Sequence, residues 1–100
     1  MTTLETSLEE IDGLEGFEVY PNPIVADKPI NIELQSNKYL EGVMSLHNAQ
    51  GQIVYSNTII INGINRHEIK TADLPSGLYI VNIDFLNATT IQKKVLIISQ

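Results

Sequence analysis

Cysteine and tryptophan are absent from this chain of 100 residues, and aromatic residues make up only 6% of it. Without cysteine, the chain can hold no disulfide framework, no thiolate zinc site and no cysteine nucleophile. Long apolar runs are also missing: residues 95–98 form a run of four, whereas a membrane span needs about 20 apolar residues. These absences argue against cysteine chemistry and against direct insertion into a membrane.

Basic residues are scarce, since six Lys and Arg stand against twelve Asp and Glu, for a formal net charge of −6. Residues 1–16 carry five of the acids and no base, whereas residues 17–100 carry seven acids and six bases. The body of the chain therefore has no basic stripe of the kind that nucleic-acid binding requires, and nucleic acid is excluded as a partner. The first ten residues lack both a basic residue and an apolar core, so they are not a secretory signal peptide.

One hundred residues with 43% apolar composition are enough for one folded domain. The first sixteen residues differ from the rest, because their apolar residues recur at helical spacing, at Leu4, Leu8, Ile11 and Leu14. A helix this short is marginal in water. We interpret residues 1–16 as an acidic linker, with a short helix as the alternative, and residues 17–100 as the domain.

From residue 17 onward, apolar and polar residues alternate with the period of half-buried β-strands. Gly51 and the pair Asn62-Gly63 predict hairpin turns, and Pro21 and Pro23 predict a turn or an extended edge. The predicted strands are residues 17–19, 30–35, 43–47, 52–56, 57–61, 65–69, 78–85 and 91–98. This pattern predicts an all-β fold, an immunoglobulin-like antiparallel β-sandwich of seven to eight strands with a short acidic N-terminal linker or helix.

The most informative segment is Leu74-Pro75-Ser76-Gly77-Leu78-Tyr79, at the start of a long predicted strand. A tyrosine in this position predicts a tyrosine corner, in which the phenol hydroxyl bonds a backbone group a few residues upstream. A plain turn with a buried Tyr79 is the alternative, and it too is compatible with a sandwich.

Four segments occur in a fixed order along the chain: Tyr20-Pro21-Asn22-Pro23, then Gly51 followed by Ile53-Val54-Tyr55, then residues 74–81, and finally Lys93-Lys94-Val95-Leu96-Ile97-Ile98. Together, in this order and spacing, they resemble the type A C-terminal sorting domain of the type IX secretion system of Bacteroidetes. The resemblance covers about residues 17–100.

The resemblance implies a secretion signal rather than an enzymatic activity. Cargo of this family crosses the inner membrane by a separate N-terminal signal, and the outer-membrane translocon recognises the folded domain in the periplasm. A surface sortase then commonly removes the domain, so the implied localisation is the periplasm in transit and then the cell surface or the medium. The implied recognition positions are Pro21, Asn22, Pro23, Gly51, Leu74, Pro75, Gly77, Tyr79, Lys93, Lys94, Val95, Leu96, Ile97 and Ile98. The implied processing region is the flexible stretch Gly13, Leu14, Glu15, Gly16 and Phe17.

No constellation of polar residues predicts an enzyme. His47 and His67 lie on predicted strands without a second ligand at metal-binding spacing. The carboxylates of the body are scattered, at Glu33, Glu41, Glu68, Asp73 and Asp84, and Asn87-Ala88-Thr89 is interpreted as a turn. We therefore expect no catalysis, no metal and no cofactor.

The last predicted strand is apolar on both faces over residues 95–98, more than a half-exposed strand requires. Either the strand is structural, being central and covered on both sides or capped on its outer face by Leu4, Leu8 and Ile11, or its outer face or edge is left for a partner. In the second case Lys93 and Lys94 would prevent premature pairing and guide the partner electrostatically. Residues 59–61 show the same doubled character, which predicts either a second covered surface or self-association through apolar strand faces.

An adhesive or carbohydrate-binding immunoglobulin-like module is the alternative function. Sugar binding usually relies on exposed aromatic rings, and Tyr39 is the one ring that the sequence places at the surface. The scarcity of aromatic residues makes the sorting domain the leading hypothesis.

Overall fold

The computed structural model describes residues 11–86 and 89–99, and this part of the chain contains six β-strands and no helix. The strands are β1 (Leu14–Tyr20), β2 (Ile24–Val25), β3 (Ile30–His47), β4 (Ile53–Ile69), β5 (Gly77–Phe85) and β6 (Thr90–Ile98). They form one mixed sheet in the order β1-β3-β5-β6-β2, with β4 paired to β3. Only the pairing of β2 with β6 is parallel. The predicted all-β class is confirmed.

Strands β3 and β4 are much longer than predicted. They form one hairpin in which five predicted strands merge into two, and Asn62-Gly63 lies inside β4 rather than at a chain reversal. The pairing shifts there, because Ser36 is opposite Gly63 and Leu40 is opposite Ile61, so β3 carries extra residues. A bulge of this kind bends a strand without ending it. The second hairpin prediction is therefore wrong, and the immunoglobulin-like sandwich of seven to eight strands is not confirmed.

The first predicted hairpin turn, at Gly51, is confirmed, and it joins the end of β3 to the start of β4. Gly51 has a φ of +84°, in the left-handed region that glycine adopts without strain. The Asn48 side chain stabilises the turn, since its Oδ1 accepts hydrogen bonds from the backbone N–H groups of Gln50 and Gln52.

One hydrophobic core joins both halves of the long hairpin. Ile32 and Leu34 from the first half of β3 and Met44 and Leu46 from its second half belong to a single buried cluster. Because alternate residues of a strand face the same side, the bent sheet places one face of each half against this shared core.

The core also includes residues that precede the predicted domain. Ile11 and Leu14 are almost fully buried, and Leu14 opens β1 opposite Ser36 of β3. The carbonyl of Gly13 accepts a hydrogen bond from the Asn37 N–H. Residues 11–16 are thus packed on the sheet because their apolar side chains complete the core. The possible short helix was expected within residues 1–16. Residues 1–10 lie outside the described part, and residues 11–16 form no helix, because β1 begins at Leu14.

Candidate recognition surface

Asn22 ties the turn before β2 to the outer edge of β6. Its Nδ2 donates a hydrogen bond to the Lys94 carbonyl at 3.1 Å, and its Oδ1 accepts one from the Leu96 N–H at 3.0 Å. One side-chain amide thereby takes the place of a neighbouring strand at this point of the edge. The flanking peptide bonds Tyr20-Pro21 and Asn22-Pro23 are both cis.

Strand β2 continues this coverage toward the end of β6. Ile24 and Val25 pair with Ile97 and Ile98, and the Ala26 N–H donates to the Ile98 carbonyl at 2.8 Å. Residues 22–26 therefore occupy the edge of β6 from Lys94 to Ile98. The backbone of Val95, Leu96 and Ile97 consequently lies between β5 and residues 22–26, and the backbone of Ile98 is paired with β2.

The predicted tyrosine corner is confirmed. The Tyr79 hydroxyl donates a hydrogen bond of 2.6 Å to the Pro75 carbonyl, and the ring is 4% exposed. Leu74 packs against the core beside it. The corner fixes the start of β5, where Gly77 and Tyr79 are opposite Ile97 and Val95 of β6.

The two faces of β6 differ sharply. Val95 and Ile97 point into the core and are fully buried, whereas Leu96 and Ile98 are 42% and 37% exposed. Among the residues that the structure describes, the outer face is therefore open, as one of the two sequence interpretations expected. Leu4 and Leu8, the residues suggested as a cover, lie outside the described range.

Ile11, the third suggested cover, does not lie on this face. It is buried in the core, and it lines an open surface pocket of about 250 Å³ together with Tyr39, Leu40, Glu41, Phe85 and Leu86. Phe85 is at the end of β5, whereas the partner of Leu96 is at its start. The idea that Ile11 caps the outer face is therefore wrong, because Ile11 is needed at the opposite end of the core.

Four exposed apolar side chains form what we call the outer patch: Val25, Leu78, Leu96 and Ile98. Leu78 is directly opposite Leu96, and Val25 is directly opposite Ile98. Opposed residues share one face of a sheet, as do residues two apart on one strand. The four side chains are thus contiguous, and each is between 37% and 43% exposed. Sequence reasoning missed Val25 and Leu78, because only the register of β2 and β5 against β6 brings them there.

Lys93 and Lys94 have different environments. The Lys93 ammonium lies 5.8 Å from the centroid of the Phe17 ring, which is a cation–π distance. The Lys93 side chain therefore covers the margin of the core. Lys94 is opposite Ile80 and on the face of Leu96, so its charge borders the outer patch. Only Lys94 is therefore placed to guide a partner toward this patch.

The remaining predicted positions lie elsewhere. Gly51 is in the β3–β4 turn, and β5 lies between β3 and β6 in the sheet. The processing residues are not in a flexible stretch: Leu14, Glu15, Gly16 and Phe17 belong to β1, and Phe17 is 2% exposed. They are held because Leu14 and Phe17 complete the core.

The described residues contain no group of three or more His, Cys, Asp or Glu side chains that could hold a metal ion. His67 Nε2 is buried without a hydrogen-bond partner, and burial lowers the pKa of this imidazole below its usual value. His47 Nε2 lies 3.0 Å from the Ser45 hydroxyl. Four polar side chains of β5 and β6 are joined by mutual hydrogen bonds on the outer face: Asn82, Asp84, Thr90 and Gln92.

The only other candidate for ligand binding that the sequence offered was an exposed aromatic ring. Tyr39 is 59% exposed, as expected, and its hydrogen bond with the Glu41 carboxylate raises the pKa of its phenol. No helix that could cross a membrane is found in residues 11–86 and 89–99.

Comparison with known proteins gives one finding on the whole domain. The sequence model of a protein family described as the secretion system C-terminal sorting domain matches residues 18–98. The match includes Asn22, the tyrosine corner and all four residues of the outer patch. Comparison with curated proteins gives no match.

Proposed function

The chain belongs to the family of secretion system C-terminal sorting domains, and on this premise we propose that it is the export signal of a type IX secretion cargo. Members of this family are typically non-catalytic, and the family implies export across the outer membrane to the surface or the medium. The finer assignment, to the type A subtype in a bacterium of the Bacteroidetes, is part of the proposal and is supported by the order of the four motif segments.

The observation that carries the proposal is the outer patch. Contiguous apolar side chains exposed to water are unfavourable in a free domain and commonly mark a surface that a partner covers. Leu96 and Ile98 belong to the last motif segment, and their side chains, unlike those of Val95 and Ile97, are not needed for the core. We propose that the outer-membrane translocon binds this patch.

The mode of recognition follows from how β6 is held. Because β5 lies on one side and residues 22–26 on the other, the edge of β6 from Lys94 to Ile98 is not free to add a strand. We therefore propose apolar docking onto the outer face rather than strand addition at this edge. The Lys94 ammonium contributes long-range attraction to an acidic rim on the partner.

Removal by a surface sortase after export is also part of the proposal. The processing region expected at residues 13–17 includes the start of β1, so cleavage within it requires Leu14 to leave the core. Proteolytic cleavage occurs preferentially at exposed segments that are not packed on the fold. We propose that the start of β1 detaches from β3 when the domain is cleaved there.

Export of a folded reporter tests the function. The reporter carries a periplasmic signal at its N-terminus and is followed by residues 1–100, in a host with a type IX secretion system. We expect the reporter at the surface or in the medium, and we expect the same reporter without the domain to stay in the periplasm. Periplasmic retention of the full fusion, with the domain shown to be folded, would contradict the proposal.

A shorter fusion that stops after Lys94 asks whether the last motif residues are required. We expect it to be retained in the periplasm. Since Val95 and Ile97 belong to the core, this deletion also weakens folding, and substitutions on the outer patch are needed to separate the two effects.

A further inference from the structure

Strand β4 presents a long free edge. It runs for 17 residues, and in the described sheet it pairs with β3 alone. Soluble proteins normally protect such edges with charged residues, with proline or with a covering segment, because unpaired backbone groups invite another strand. The edge of β6 has such a cover in residues 22–26. Residues 53–65 have neither a charged residue nor a proline.

Several exposed side chains of this strand are apolar as well. Ile53, Val54 and Ile60 are between 38% and 61% exposed, although Ile59 and Ile61 on either side of Ile60 are buried. The doubled apolar character of residues 59–61 thus has two causes: the odd residues serve the core and Ile60 faces outward. Ile60 shares the outer face with Ser56 and Thr58, because these residues alternate along a regular stretch of β4. Val54 is the extra residue at the register shift between Tyr55 and Ile53.

The order of residues along this segment is symmetric about Asn57. In both directions from Asn57 come one hydroxyl residue and then three bulky apolar residues: Ser56, Tyr55, Val54 and Ile53 on one side, and Thr58, Ile59, Ile60 and Ile61 on the other. A segment with this symmetry is its own complement when a second copy runs antiparallel to it. A partner of different sequence would require no such symmetry.

We propose that two copies of the domain associate by antiparallel pairing of their β4 strands about a two-fold axis at Asn57. In this register Ser56 is opposite Thr58 of the second copy, and Tyr55 is opposite Ile59 of the second copy. Hydroxyl pairs and pairs of an aromatic with a β-branched residue are among the favourable cross-strand combinations. No like charges meet, because the paired segments have none.

The pairing is closed at two copies. An interface that uses the same strand of both copies is isologous, so it uses the free β4 edge of each copy and leaves no β4 edge for a third copy. The outer patch remains available in this dimer, because it lies on β2, β5 and β6, and β3 separates those strands from β4. Self-association and recognition by a translocon are therefore independent, and the failure of one leaves the other standing.

Two charge variants test the register. Ser56→Lys with Thr58→Lys places lysine against lysine twice across the axis, whereas Ser56→Lys with Thr58→Glu places lysine against glutamate twice. Both positions are exposed, so both variants are expected to fold. By light scattering of the purified domain, we expect the native sequence and the Lys/Glu variant at about twice the 11.1 kDa of the monomer, and the Lys/Lys variant at 11.1 kDa. A monomeric native domain, or a Lys/Lys variant that stays dimeric, would overturn the proposal.

Disulfide formation gives a second measurement, because the chain has no cysteine of its own. At a two-fold axis of antiparallel strands, identical residues face each other with Cα atoms about 4.5–5.5 Å apart, within disulfide range. We expect Asn57→Cys to oxidise to a covalent dimer and the control Ile64→Cys, exposed on the same strand, to stay monomeric under the same conditions. Equal cross-linking of both variants, or none at Asn57→Cys, would contradict the register.

Discussion

Replacement of Asn22 isolates the contact that holds the turn onto β6. In Asn22→Ala the Leu96 N–H and the Lys94 carbonyl both lose their partner. In Asn22→Asp the carboxylate still accepts from the Leu96 N–H, but it faces the Lys94 carbonyl without a proton to donate. We therefore expect the aspartate to be at least as destabilising as the alanine at neutral pH.

The size of the effect follows from the number of bonds and from their exposure. A protein hydrogen bond contributes a net ~0.5–1.5 kcal/mol, and water can replace part of it at an exposed site such as Asn22. Two exposed bonds give a total loss of about 1 kcal/mol in the free energy of unfolding. For a domain of this size such a loss corresponds to a decrease of roughly 4–8 °C in melting temperature.

Two measurements check this result. Urea denaturation should show a lower midpoint with an unchanged slope, since the folded surface stays the same. Amide hydrogen exchange should accelerate at Leu96, because its N–H loses its acceptor. Asn31→Ala is the matched control: its Nδ2 donates to the Tyr20 carbonyl at 3.2 Å, so it removes a side-chain hydrogen bond without touching β6. Unchanged Leu96 exchange in Asn22→Ala would refute the reasoning.

Three further predictions concern the fold. Tyr79→Phe removes the bond to the Pro75 carbonyl, and we expect a loss of about 1 kcal/mol in the free energy of unfolding, measured by urea denaturation. Gly42→Ala would place a Cβ 2.8 Å from the Asp84 carbonyl oxygen of the adjacent strand, so we expect a loss of roughly 1–3 kcal/mol by the same method. Because burial lowers the pKa of His67, the unfolded chain binds its proton first as the pH falls, and the contribution of this group to stability is complete above about pH 6.5 and decreases below it. Thermal unfolding at a series of pH values should show this decrease, and His67→Phe should remove it.

Each of these predictions has a control within the chain. Tyr20→Phe removes a longer, exposed bond to Glu33 and should change stability less than Tyr79→Phe. Gly16→Ala meets its nearest neighbour at 3.6 Å, an ordinary contact, and should be tolerated where Gly42→Ala is not. Equal effects within either pair, or the same pH dependence with and without His67, would contradict the corresponding prediction.

The sequence predicted the features that depend on local chemistry. Alternation of apolar and polar residues predicted the all-β class, Gly51 predicted a hairpin turn, and the proline and tyrosine of residues 74–79 predicted the corner. The family resemblance also came from short motifs, and the match over residues 18–98 agrees with it at the level of the family.

The features that the sequence did not predict depend on pairing between distant residues. Asn62-Gly63 has the composition of a hairpin turn, but β4 continues past it because the bulge after Ser36 in the paired strand β3 absorbs the irregularity. β2 has two residues, too few for a detectable period, and only its register against β6 makes it a strand. The outer patch shares this origin, since Val25 and Leu78 become its members through cross-strand register.

The central claim is that the outer patch is the part of the export signal that a partner binds. Substitutions on the patch in the exported reporter fusion test this claim most directly. Leu96→Asn with Ile98→Asn changes the patch, and Ile64→Asn with Leu86→Asn changes two other exposed apolar residues as a matched control. With both variants shown to be folded by circular dichroism, we expect the patch variant to stay in the periplasm and the control to be exported like the native fusion. Normal export of the folded patch variant would contradict the claim.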